Sequence, residues 1–65
     1  MNEIILEVTN RRFKSTYMIP ISSILYLYAR DSGKQATVEL LSGYSFDIIE
    51  TMNDIKDQIA KQRRQ

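Results

Sequence analysis

Apolar and polar residues alternate along most of this chain, and the period changes only near its end. From Glu3 to Thr9, Ile4, Leu6 and Val8 share one face while Glu3, Glu7 and Thr9 share the other, with Ile5 breaking the pattern. Period two over such a length predicts a half-buried strand. Asn10-Arg11 reads as a turn, and Arg12 to Met18 alternates again, Phe13, Ser15 and Tyr17 against Arg12, Lys14 and Thr16. The two runs predict a hairpin. Pro20 has no N–H for a ladder bond and holds Ile19 extended, so the second strand must end there or lie on an edge.

Ser23 to Arg30 is the stretch richest in branched and aromatic side chains, and predicts a third strand. Asp31-Ser32-Gly33-Lys34 is a turn; Gln35 to Leu41 alternates with Ala36, Val38 and Leu40 on one face. Leu41-Ser42-Gly43 leads into Tyr44 to Ile49, where Tyr44, Phe46 and Ile48 share a face. Gly43 as the left-handed residue of a three-residue loop pairs Leu40 with Tyr44, Val38 with Phe46 and Ala36 with Ile48. A two-residue loop would set Glu39 against Phe46 and mix polar with apolar on both faces, so the first register is expected. A four-residue loop at Asp31 to Lys34 likewise pairs Leu25 with Leu40, Leu27 with Val38 and Ala29 with Ala36. That register sends Tyr26 and Tyr28 to the opposite face, beside Thr37, Glu39 and Leu41.

The period changes to 3.6 after Glu50. Thr51 and Asp54 have the spacing of a capping box, and Met52, Ile55 and Ile59 form one apolar stripe. Asp57 and Lys61 are an i,i+4 ion pair. A helix this short is marginal alone, so its stripe is expected to dock on the sheet against Leu25, Leu27, Val38, Leu40 and Phe46. The fold expected is α+β: a small, strongly bent antiparallel sheet of four to five strands, a meander that can curl into a barrel-like form, with one C-terminal helix. Residues 1–65 form a single domain.

Composition narrows the chemistry. With no cysteine and no histidine, there is no thiol nucleophile, imidazole base or Cys/His zinc set. The acids Asp47, Glu50 and Asp54 cluster near the helix start, where capping accounts for them. Gly33 and Gly43 are isolated turn glycines and make no phosphate-cradling loop. The expectation is a protein without catalytic residues, cofactor or metal. No apolar run approaches the ~18 residues of a membrane span, and no signal peptide is evident, so a cytoplasmic location is the default.

Nine Lys/Arg against eight Asp/Glu leave a net charge of +1, which argues against broad electrostatic capture of nucleic acid. The cations are nevertheless grouped: Arg11, Arg12 and Lys14 in one place, Lys61, Arg63 and Arg64 in another. They read first as a solvated turn and a helix end suited to cations, and second as phosphate or acidic-partner contacts.

A 65-residue domain has a thin core, and small domains need a staple, a partner or exceptional packing. Tyr26, Tyr28, Leu41 and Ile5 on the face away from the helix are therefore the candidate interface for a protein partner or a second copy. The alternative is that a curled sheet buries this face itself. A small-ligand pocket between protomers is a more distant reading of the same tyrosines.

Two family patterns resemble the chain. Ile21 and Ile24, Val38 to Leu40, Gly43, Glu50-Thr51 and Met52 to Arg64 resemble the FlbD family of small flagellar and swarming-motility proteins over nearly the whole length. Ile19-Pro20 through Ala29, Gly43-Tyr44, Thr51-Met52 and Ile55 resemble the first part of LytTR DNA-binding domains, short of the segment that carries much of the DNA contact there. Both resemblances imply a sheet followed by one helix and a regulatory rather than catalytic role. A small phage or mobile-element protein that binds a host factor would carry the same features.

Overall fold

The structure is a computed structural model that describes residues 3–64. Five strands precede one helix: β1 (Ile5–Thr9), β2 (Thr16–Pro20), β3 (Ile24–Arg30), β4 (Gln35–Leu40), β5 (Ser45–Ile48) and α1 (Met52–Arg63). Single 3-10 turns at Ile21–Ser23 and Asp31–Gly33 lead out of β2 and β3. The chain is α+β, as the pattern predicts, but the strands form two antiparallel sheets, β1-β2 and β3-β4-β5. The two meet at one bridge, Asn10 with Ile48, flanked by Arg11 N–H to Asp47 O (2.8 Å) and Ile49 N–H to Thr9 O (3.1 Å). The expected single sheet is thus split, and it does not close into a barrel. From Ile5 to Thr9 the outer edge of β1 is bonded by side chains of Glu50 and α1 rather than by β5.

The first hairpin forms with a longer connection than expected. Asn10 is buried, and its Oδ1 accepts the N–H groups of Arg12 (2.8 Å) and Phe13 (3.0 Å), holding residues 11–14 in a loop. A side chain bonding its own neighbouring backbone outcompetes the ladder here, so β2 begins at Thr16 instead of Arg12. Pro20 ends β2 opposite Ile5, with β2 on the sheet edge.

In the second sheet Val38 pairs with Phe46 and Ala36 with Ile48, around Gly43 at φ +95°. Leu27 pairs with Val38 and Ala29 with Ala36, also as expected. Leu25 departs: a bulge lets Ile24 take the place opposite Leu40, and Leu25 turns out to solvent. It is therefore not part of the surface on which the helix packs.

The core is Leu6, Val8 and Ile19 from one sheet, Ala36, Val38 and Ile48 from the other, and Ile55 from the helix. Met52 and Ile59 pack at its margin, so the predicted stripe is the buried face of α1. The helix start is a complete capping box: Asp54 N–H donates to Thr51 Oγ1 (3.2 Å) and Thr51 N–H to Asp54 Oδ2 (2.9 Å).

Candidate functional site

The face of the three-stranded sheet turned away from the core follows from its register. Tyr26 lies beside Glu39 and Ser45, and Tyr28 beside Thr37 and Asp47. Tyr26 is 58% exposed, Tyr28 48% and Leu41 63%, so the sheet does not fold over this face. Beneath the tyrosines the surface is ordered by polar contacts. Thr37, itself buried, donates from Oγ1 to Asp47 Oδ1 (2.7 Å), and Arg30 Nη2 stands 3.7 Å from the same oxygen. Both partners of that ion pair are more than half exposed, so it orients side chains and adds little stability. Ile5 does not join this group. It lies in the other sheet, with its backbone N–H and C=O both held by Gln62.

The two basic groups are also separated. Arg11, Arg12 and Lys14 follow the Thr9 end of β1, whereas Lys61, Arg63 and Arg64 surround Gln62, which bonds Ile5 at the other end. Five residues of strand keep them roughly 15 Å apart. They do not make one phosphate-binding surface. Arg11 is partly committed already, since its Nη2 donates to Ile48 O (3.0 Å) and ties the loop to the end of β5.

The alternation pattern did not single out a second feature, an open cleft of about 520 Å³ between the 10–13 loop and the Tyr44–Asp47 segment. Phe46 and Tyr44 line it with ring centroids 5.6 Å apart, and the Tyr17 ring lies 5.5 Å from that of Phe46. Arg12 lies over the Phe13 ring, 5.2 Å from its centroid. The available signal was Tyr44 and Phe46 at i and i+2, but both read as core. In fact Phe46 is only half buried, and Tyr44 is exposed because it sits at the mouth of the turn.

Chemically, the aromatic and aliphatic surfaces are suited to holding another surface. Among the described residues no three Asp or Glu side chains lie together in a way that would hold a metal ion. No helix among them is long and apolar enough to cross a membrane. Comparison with protein-family models, curated proteins and solved structures finds no match to this chain.

Proposed function

We propose that this chain is a non-catalytic interaction module of a regulatory or assembly kind, acting by contact with a protein surface and by association with itself. The observation that supports this reading is the exposure of Tyr26, Tyr28 and Leu41 on one face, beside a strand, β3, that is paired on one side only. Tyrosine combines broad apolar area with a hydroxyl that tolerates water, the combination that interfaces favour. In so small a domain, covering this face adds burial that the core lacks. Sedimentation velocity across the micromolar range tests the reading. A mass-action shift towards dimer, or capture of a defined protein partner lost on replacing Tyr26 and Tyr28, is expected. A strict monomer with no such partner overturns it.

The cleft favours a second reading, single-stranded nucleic acid with a base stacked against Tyr44 and Phe46 and its phosphate near Arg12. Binding would then weaken steeply with added salt and fall on Arg12→Ala. Salt-insensitive binding, or none, removes this alternative.

A further inference from the structure

The outer edge of β3 is where the sheet is left unfinished, and its geometry specifies what would complete it. On β4, Leu40 N–H donates to Tyr44 O (2.8 Å) while Leu41 N–H donates to Ser23 O (2.9 Å). Antiparallel ladders alternate, so Ala36, Val38 and Leu40 bond β5, and Thr37 and Glu39 bond β3. Tyr28 and Tyr26, opposite those two, therefore turn their backbone groups inward to β4. Leu27 and Ala29 turn theirs outward. β4 and the turn that follows β3 are its main neighbours.

The other strand edges differ. The outer edge of β1 is bonded by Glu50, Gln58 and Gln62. That of β2 ends in Pro20, which has no N–H to offer. That of β5 is bonded by the residues around Asn10. Among the described residues, only β3 combines a regular, proline-free run with an uncovered edge. The bulge confines that run to Tyr26–Arg30, whose central residue is Tyr28.

We infer that β3 pairs antiparallel with β3 of a second copy about a two-fold axis at Tyr28, joining two three-stranded sheets into one of six. The inference rests on the self-association reading above and names its surface. In that register Leu27 exchanges both backbone hydrogen bonds with Ala29 of the second copy, and Ala29 with its Leu27. Tyr28 faces Tyr28 across a non-hydrogen-bonded pair, where side chains come closest. Tyr26 faces Arg30, a cation beside an aromatic face, twice by symmetry. No like charges oppose one another along the run, and the only cation meets a ring. The segment is complementary to itself, which a closed two-fold contact requires.

The absence of cysteine makes the register directly testable. Tyr28→Cys places two thiols at the axis, ~4.5 Å apart between Cα atoms and within disulfide reach. Mild oxidation is expected to cross-link it to a dimer, while Tyr26→Cys, four positions out of register with its own copy, stays uncross-linked. Tyr28→Lys is expected to weaken dimerisation about tenfold or more by setting like charges face to face, and mixing it with Tyr28→Glu to restore association as a mixed dimer. Circular dichroism and melting of each variant confirm a folded chain. A wild-type protein that stays monomeric at high micromolar concentration overturns both this inference and the self-association reading. Wild-type dimers that persist in both charge variants, without cross-linking at position 28 or with cross-linking of Met18→Cys on β2 instead, overturn this inference and leave that reading standing.

Discussion

Along the outer edge of β1, Gln62, Gln58 and Glu50 stand in for a neighbouring strand; along the outer edge of β3, no element among the described residues plays that part. Gln62 accepts from Ile5 N–H (2.8 Å) and donates to Ile5 O (2.6 Å), and Gln58 does the same at Glu7 (2.8 and 2.9 Å). A primary amide carries a donor and an acceptor side by side, as a peptide group does. The spacing also matches. Four residues of helix rise ~6 Å and two residues of strand ~6.6 Å, so an i,i+4 pair on α1 meets alternate residues of β1. The next helical position in that row, Asp54, is engaged in the capping box, and Glu50 serves Thr9 instead, accepting from its N–H (2.7 Å) and its hydroxyl (2.8 Å). The difference between the edges teaches that the helix does two jobs, burying Ile55 and finishing one sheet edge, and that it reaches only one of the two sheets in this way.

The harshest way to break the comparison is to remove the anchor that keeps α1 on β1. Ile55 is 1% exposed in the middle of the core, and Ile55→Ala should cost ~2–5 kcal/mol. Against the few kcal/mol that hold so small a domain, this is expected to unfold much of the population at room temperature, seen as lost ellipticity and an early urea midpoint. A melting temperature near that of the wild type would mean that the helix is held mainly by its amide clamps.

How much of this was readable from the residues depends on whether the determinant is local. The capping box at Thr51 and Asp54, the left-handed Gly43 and the Val38–Phe46 register all rest on neighbours in sequence or on a strict period of two. They are legible for that reason. The Leu25 bulge was not, because either Ile24 or Leu25 fills the place opposite Leu40 and only packing decides between them. Nor was the length of the loop after Asn10, whose side chain competes with a ladder that the alternation of Arg12 to Met18 supports equally well. The clamps at Gln58 and Gln62 were not legible either, since nothing in a sequence says that a strand edge will lie alongside. Tyr26 and Tyr28 were placed on their face by register alone, while the cleft at Phe46 needed the 10–13 loop to be brought across from the other sheet.

Next in size are the clamps. Gln62→Ala strips both bonds from Ile5 in a part-buried position and should cost roughly 1–3 kcal/mol. Gln58→Ala removes two bonds that are exposed to solvent, which can replace them, and should cost less. Denaturant titrations of the two variants check that order. Equal losses would show that the Ile5 end is no drier than the Glu7 end. Gln62→Ala should also increase aggregation, because it turns part of the β1 edge into an open one.

Glu50→Gln sharpens the comparison more gently. The amide oxygen still accepts from the Thr9 N–H and the new NH2 donates to the Thr9 hydroxyl, so both contacts persist but neither is to a charged acceptor. A loss of about 1 kcal/mol is expected. The hydrogen-exchange rate of the Thr9 amide should rise more than that of the Val8 amide, which lies on the β2 side of the strand. Uniform acceleration of both would place the effect in global stability rather than at this edge.

Tyr28→Ala tests the uncovered edge and should barely move stability. Its ring is about half exposed, its backbone bonds to β4 do not depend on the side chain, and no side-chain hydrogen bond from Tyr28 supports the fold among the described residues. Measured by urea titration where the wild type is dilute enough to be monomeric, the change should fall within ~0.5 kcal/mol. At high concentration the two proteins should separate, the wild type gaining stability from association and the variant gaining little. That concentration dependence is what tells an edge built for a partner from one that merely tolerates solvent. On β1, where side chains already occupy the edge, Glu7→Ala should leave no such dependence on concentration beyond that of the wild type.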